Sequence, residues 1–420
     1  MVAKHAVSLH TNPENNDMDL KKFRQDFPLL RDASGQPPII YLDNACQTLR
    51  PQVVIDAVTR YYLESSACAG RSMHRLSADV TRGVDHARTT LAKFLGAARK
   101  EEIIFTRNTT EGINLVAHSL GLKAGDVVLI SDKEHNSNLI PWQALSRRQG
   151  IELRVIPSRP DNTFDMEAFE RLLDASVKLV SIGYTSNLDG VTLPVEDIIR
   201  KAHRQGTLAL LDAAQAAPHA RINVRSLDID FLALSGHKML GPSGTGVLYG
   251  KYALLEKMEP FLVGGETVAI STYTSCEFLP PPEKFEAGLQ DYAGILGLEA
   301  AARYLMDVGF DAIQKQDRLL NQAASQEIQT VPGVKIIGPG DAKLRGGILS
   351  FYIDGIDSHR IALMLDQMAK IMVRSGQHCV HSWFHSRQIA GSVRASFYFY
   401  NTLEEVALLV ENLRKIRKVL

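Results

Sequence analysis

Lys238 stands between an apolar run, residues 231–234, and the glycines at 241, 244 and 246, in the stretch FLALSGHKMLGPSGTGVLYG. A lysine directly after a buried strand lies at a strand end, where a fold can hold its amine over a pocket. Ser235, Gly236 and His237 add a hydroxyl, close backbone access and an imidazole. These are the surroundings that a lysine needs to carry a phosphorylated aldehyde as a Schiff base. A lysine in an exposed hairpin would have the same local spelling, so the rest of the chain must decide.

Other apolar runs end in polar clusters too. After IIFT comes Thr109-Thr110-Glu111-Gly112, a helix start whose free N–H groups and hydroxyls could hold a phosphate or simply cap the helix. After VVLIS comes Glu134-His135-Asn136, where His135 could stack on an aromatic cofactor or lie on the surface. After LVSIGY comes Asn187, a donor for a ring hydroxyl or a substrate carboxylate. After LALL comes Asp212-Ala213-Ala214-Gln215; an acid at a buried strand end is costly unless it meets a cation or donors. A protonated pyridine nitrogen is such a partner, and pairing makes the ring a better electron sink.

A second reactive group lies far downstream, in Arg374-Ser375-Gly376-Gln377-His378-Cys379. Cys379 follows a strand-like run and a glycine, with Arg374, His378 and His381 near it in sequence. A loop with such neighbours is expected to draw a thiol pKa down from about 8.5 and favour the nucleophilic thiolate.

These groups need elements to position them. The short runs IIFT, VVLIS, LRVIP, LVSIGY, LALLD and FLALS alternate with helical patterns such as residues 195–205, which implies parallel βαβ units. FLALS and TGVLYG have too short a connection for a crossover and should be antiparallel, giving a seven-stranded, mostly parallel sheet. In an open sheet of this kind ligands bind beyond the carboxyl ends of the strands, where the clusters lie. After Pro280, Pro281 and Pro282 a long helix over residues 295–308 should lead into a smaller α+β unit. That unit would contain GILSFYI, a helix over residues 359–367, IMVRSG, SVRASFYFY and an amphipathic helix from Thr402. The expected division is a flexible tail over residues 1–18, a large domain over 19–290 whose first helix packs on the small domain, and a linker helix and small domain over 291–420.

The chain has 420 residues, with Lys+Arg and Asp+Glu balanced at 47 each. No global field draws it to nucleic acid or to a membrane surface, and no apolar run nears the roughly 18 residues of a span. A polar start without a secretory core leads us to expect a cytoplasmic protein. Four scattered cysteines form neither a disulfide framework nor a metal-binding pattern, so no metal is expected.

Taken in order along the chain, these motifs resemble those of the class V aminotransferase group of fold-type I pyridoxal phosphate enzymes, and within it the SUF-type cysteine desulfurases. The resemblance runs from Tyr41-Leu42-Asp43-Asn44-Ala45 through Thr109-Thr110-Glu111-Gly112-Ile113-Asn114, Asp212-Ala213-Ala214-Gln215 and Ser235-Gly236-His237-Lys238 to Arg394-Ala395-Ser396 and Tyr400-Asn401-Thr402. It implies pyridoxal 5'-phosphate on Lys238, with Asp212 at the pyridinium, Gln215 at the ring hydroxyl and His135 stacked on the ring. Thr109, Thr110, Ser235 and His237 would hold the phosphate. Arg394 would clamp the carboxylate of L-cysteine, with Asn187, Arg374 and Arg71 as further substrate contacts, and Cys379 would take the sulfur as a persulfide and leave alanine.

A homodimer and a sulfur-accepting protein are further implications, the second from the short spacing between Cys379 and Arg394. Because the family's reactions diverge, a selenocysteine lyase, another lyase or epimerase, and a catalytically idle scaffold are the competing outcomes. Three departures stand out. Leu289 follows Phe285-Glu286-Ala287-Gly288 where relatives commonly carry a threonine that reaches the partner subunit's cofactor phosphate. Gln377 occupies a common histidine position. Cys46 replaces a small residue, either as a second active-site thiol or as packing.

Overall fold

The computed structural model describes residues 20–31 and 39–420, so the tail expected over 1–18 lies outside the described residues. Its centre is a seven-stranded sheet of β1 (Ile103–Thr106), β2 (Val127–Ser131), β3 (Glu152–Ile156), β4 (Val177–Gly183), β5 (Leu208–Asp212), β6 (Phe231–Ser235) and β7 (Gly246–Gly250). The spatial order is β1-β7-β6-β5-β4-β2-β3. The pairs β6–β5, β5–β4, β4–β2 and β2–β3 are parallel, whereas β7 runs antiparallel to both β6 and β1. Continuous apolar spelling explains the burial on both faces: β2, β6 and β7 have no exposed or half-exposed residue. Helices cover the two faces, and separate apolar clusters fill each side.

A second, four-stranded antiparallel sheet is ordered Val334–Ile337, Ile348–Ile353, Ser392–Ser396, Arg374–Gly376. The helices Phe310–Ile328, Ser358–Ala369 and Leu403–Val419 supply its own apolar cluster. The last of these helices begins with a reciprocal cap between Thr402 and Glu405, as Thr402 in the sequence suggests.

Two expected strands are shorter than their apolar spelling. IMVRSG splits into Ile371–Met372, which pairs in parallel with Ile40–Tyr41, and Arg374–Gly376. SVRASFYFY leaves the sheet after Ser396, because Asn44 takes the Ser396 carbonyl at 2.7 Å and Asn401 takes the Tyr398 N–H at 2.9 Å. The four aromatic residues that follow are wholly buried against the early chain: Phe399 meets Phe23 and Phe27, and Tyr400 meets Phe27. Arg24 adds a hydrogen bond to the Tyr400 carbonyl and an ion pair with Glu405. The first described helix, Leu20–Gln25, is thereby docked on the C-terminal part of the chain.

The edge strand β1 is fixed by a buried ion pair. Arg88 donates to both oxygens of Glu286 at 2.7 and 2.8 Å and to the Ile103 carbonyl at 2.6 Å, while Glu286 also accepts the Phe105 N–H at 2.7 Å. Removing one partner of such a pair strands the other charge away from water. Arg88→Met should therefore cost about 3–5 kcal/mol in denaturant unfolding, and Arg88→Met/Glu286→Gln should recover at least half of that loss. A single variant as stable as wild type would show that the pair does not hold β1.

Candidate active site

The carboxyl ends of β1, β2, β4, β5 and β6 open onto a cavity of about 230 Å³. On its floor, Lys238 follows β6 in a single turn of 3-10 helix, Gly236–Lys238. Gly236 is needed here, since a Cβ would collide with Thr245 and Leu298. Beside it, at the end of β5, Asp212 accepts the Ala214 N–H at 2.9 Å. Burial raises the Asp212 pKa, and the Lys238 charge opposes that rise. The same burial lowers the Lys238 pKa, opposed chiefly by Asp212. A lysine held this way has a larger neutral fraction than one in water, as an amine that must exchange protons requires.

At one end, the helix Thr109–Ser119 points its amino terminus into the cavity. Asn108 caps it by accepting the Glu111 N–H at 3.0 Å. Gly246 lets this cap approach β7, for a Cβ there would lie 2.7 Å from the Asn108 Cα. The Ser235 hydroxyl bonds the Thr109 N–H at 2.9 Å and its hydroxyl at 2.7 Å, and the Thr110 hydroxyl meets Ser137 at 2.7 Å. Hydroxyls gathered at a helix amino terminus form an anion cradle. His237, expected to share it, also lines the cavity and is held neutral by burial and by the Lys238 charge, with a pKa of about 4.

His135 caps the helix Asn136–Gln149, its Nδ1 accepting the Ser137 N–H at 3.0 Å. Burial, then Lys238, Arg394 and Arg374, push its pKa down to about 3. Its ring is therefore neutral. Glu134, which no sequence motif singles out, is the support beneath it: the carboxylate accepts from Ser131 at 2.5 Å, Asn138 at 2.7 Å and the Gly183 N–H at 3.0 Å. Burial raises its pKa to about 7 against those donors.

The opposite wall comes from the second sheet. Arg374 and Arg394 face each other across neighbouring strands, a like-charge pairing that needs anions around it. Arg394 is 2% exposed, donates to the Asn187 carbonyl at 2.9 Å and reaches Asp43 at 3.4 Å, while its Nε has no partner among the described residues. An unsatisfied guanidinium nitrogen in the wall of a cavity is a place for a carboxylate.

Cys379 lies on the loop after Arg374–Gly376. His378 and Cys379 both take left-handed backbone angles, with φ of 50° and 60°, which are strained for such residues. Three contacts hold them there: the Asn187 amide donates to the His378 carbonyl at 2.8 Å, the Asn136 N–H to the Cys379 carbonyl at 2.8 Å, and His378 Nε2 meets Ser392 at 2.8 Å. Of the neighbours expected to act on the thiol, Arg374 reaches its sulfur, at 4.0 Å. His381 is instead bonded to Asn136, and burial holds His378 neutral, with a pKa of about 2.

The cavity thus gathers Thr109, Thr110, His135, Asn187, Asp212, Gln215, Ser235, His237, Lys238, Arg374, Cys379 and Arg394. Gln215 spends its amide on the Ala45 carbonyl at 2.7 Å. Arg71 lies outside this cavity, on an exposed loop beside Gly70, where it pairs with Glu266. Cys46 is the opposite case: it lines the cavity, and Arg374 donates to its sulfur at 2.7 Å. Leu289 is 64% exposed and has no hydroxyl to offer a phosphate. Glu134 and Asp43 could have been suspected from their places next to His135 and in Tyr41-Leu42-Asp43.

A phosphorylated pyridine aldehyde fits these residues. Among the described residues the second carboxylate oxygen of Asp212 has no hydrogen-bond partner, the cradle stands at the helix start, and Lys238 lies in the same cavity.

Acid should weaken this arrangement. The folded pKa values of His135 and His378 are depressed to about 3 and about 2, against about 6.5 unfolded. Unfolding therefore takes up protons below about pH 6.5, and each imidazole withdraws up to about 1.4 kcal/mol of stability per pH unit as pH falls. His378→Asn, a residue that tolerates left-handed backbone, should flatten the fall in denaturant midpoint between about pH 6 and pH 4.5. Parallel curves for variant and wild type would refute this origin of acid sensitivity.

Comparison with known proteins agrees with the geometry. The family model for aminotransferase class-V matches residues 40–409. The chain is 40% identical to a cysteine desulfurase of Serratia proteamaculans over 406 residues, covering 96% of this chain and 99% of that one. A cysteine desulfurase of Enterobacter sp. is 41% identical over 405 residues, with 96% and 99% covered. Among solved structures, the apo cysteine desulfurase of Thermococcus onnurineus superposes with a TM-score of 0.90 at 37% identity, covering 95% of this chain and 98% of that one. The Escherichia coli cysteine desulfurase CsdA does so with a TM-score of 0.89 at 32% identity, covering 96% and 100%. With its fold, its cavity and its full-length relatives in accord, the chain belongs to the class-V aminotransferase family.

Proposed function

We propose that this protein is a pyridoxal phosphate-dependent cysteine desulfurase, which converts L-cysteine to L-alanine and takes the sulfur onto Cys379. The observation that carries this reading is the meeting of Lys238, Arg394 and Cys379, from two different sheets, in one cavity. When bound, the cofactor supplies an electron sink conjugated to the substrate α-carbon. Asp212 would hold its ring nitrogen, and Thr109, Thr110, Ser235 and the helix amino terminus its phosphate.

The protein's own groups do the rest. Arg394, with its free Nε, orients the substrate carboxylate, and Asp43 and the Asn187 carbonyl keep that guanidinium from turning. Lys238 Nζ, made less basic by burial, would take and hold the proton from the substrate α-carbon. The Cys379 sulfur then attacks the substrate sulfur: a sulfur–sulfur bond forms, the carbon–sulfur bond breaks, and its electron pair stays with the carbon that becomes the alanine methyl. Asn136 and Asn187 fix the loop for that attack, and neutral His135 and His237 add no charge that would compete for the substrate.

A homodimer is part of this proposal, supported by the exposed apolar side chains of Leu262, Val263, Ile270 and Leu289. So is a dedicated sulfur-accepting protein, supported by the short, tied-down Cys379 loop, which reaches little beyond the cavity. Among the described residues no helix is long and apolar enough to cross a membrane, and we propose that the protein works in the cytoplasm.

Purified protein given L-cysteine and a reductant should release alanine and sulfide in equal amounts. Lys238→Ala should lose the yellow absorbance and all turnover. Cys379→Ala should keep the cofactor absorbance and its spectral response to cysteine, yet fall at least about a hundredfold in sulfide release. Normal desulfuration by Cys379→Ala would overturn the assignment, and L-selenocysteine run alongside would show whether a selenium leaving group bypasses the thiol.

A further inference from the structure

Two cysteines share this cavity. Cys46 follows Ala45, whose carbonyl is held by Gln215 and whose N–H bonds Ser396 at 2.9 Å, so its backbone is fixed at the meeting point of the two sheets. One terminal nitrogen of Arg374 donates to the Cys46 sulfur at 2.7 Å, and the other lies 4.0 Å from the Cys379 sulfur. Both sulfurs are thus on one guanidinium. Cys46 is half-buried and is no mere packing substitute: its sulfur meets the Arg374 guanidinium and the Asp43 carboxylate at the cavity wall rather than an apolar cluster.

We propose that Cys46 is a second acceptor thiol, which takes the sulfane sulfur from Cys379 within the cavity; this rests on the desulfurase reading above. The Cys46 thiolate attacks the terminal sulfur of the Cys379 persulfide. A sulfur–sulfur bond forms at Cys46, the one at Cys379 breaks, and Cys379 leaves as a thiolate beside Arg374. One thiolate and one persulfide stand on each side, so no oxidant, reductant or extra proton is consumed. Arg374 serves the exchange at both ends, facing the attacking sulfur with one nitrogen and the leaving sulfur with the other. Cys379 is freed for a second substrate while the first sulfur waits at Cys46.

The test is a rapid-quench experiment on the cofactor-loaded enzyme with L-cysteine and neither reductant nor acceptor protein, followed by alkylation and peptide mass mapping. Wild type should give a burst of about two alanines per protomer and an extra sulfur on the Cys46 peptide, while Cys46→Ala and Cys46→Ser should give about one. Cys379→Ala should carry no extra sulfur at Cys46. A wild-type burst of about one with an unmodified Cys46 overturns the relay but leaves the desulfurase reading intact; no alanine at all sinks that reading itself. A Cys46–Cys379 disulfide with released sulfide also overturns it, since Cys46 would then reduce the persulfide instead of receiving its sulfur. If neither Cys46 variant folds, the wild-type peptide map alone decides.

Discussion

Positive charge held away from water governs this molecule. Lys238, Arg374 and Arg394 converge on one small cavity whose lining offers Glu134 and Asp212 as carboxylates, with Asp43 behind Arg394. Buried cations demand compensation, or their pKa values fall. Both responses occur. Burial lowers Lys238 and Arg394, and the same burial, reinforced by those cations, keeps His135, His237 and His378 neutral. What remains is a site short of negative charge. A ligand bearing a phosphate and a carboxylate supplies it, and three neutral imidazoles leave those anions to the helix start and the guanidinium.

That field exists because two sheets of different make meet at one cavity. The parallel sheet presents its carboxyl ends, and with them the lysine, the acid and the anion cradle. The antiparallel sheet presents paired arginines and the strained cysteine loop. Neither carries the reaction alone. The Asn187 side chain joins them by holding the loop carbonyl, and its main-chain carbonyl holds Arg394, so one residue after β4 positions both the Cys379 loop and the Arg394 guanidinium. Catalytic groups require this kind of over-determination, because a misplacement of about 1 Å can cost two orders of magnitude in rate.

The sequence was most informative where one residue type answers one need. Apolar runs of four to six residues between helical periods matched every strand of the large sheet, and the short FLALS–TGVLYG link its antiparallel member. Lys238, Asp212 and Thr109 were legible because a polar residue at the end of a buried strand must meet a ligand, a helix start or an opposite charge. Hidden were features set by contacts between distant segments. The end of the last strand depends on Asn44, which holds the Ser396 carbonyl from 352 residues away. His378 and His381 look like neighbours of the thiol in sequence, but hydrogen bonds to Ser392 and Asn136 occupy them. Arg71, placed by resemblance, lies on the surface. Cys46 was ambiguous because its partner, Arg374, is more than three hundred residues away.

Glu134 shows how far support for the chemistry extends beyond the reacting groups. Its carboxylate is fully enclosed, which favours the proton, yet hydroxyl, amide and main-chain donors surround it, which favours the charge. The balance falls at a pKa of about 7. Its neighbours show what it secures. Lys133 is anchored by Asp189 at 2.9 Å, and His135, next along the chain, caps a helix with Nδ1 while its ring faces the cavity. Three consecutive side chains thus lock the turn after β2. A ring proposed to stack on a flat cofactor cannot sit on a mobile turn, and the buried Glu134 carboxyl steadies that turn because it bonds β2, β4 and the following helix to one another.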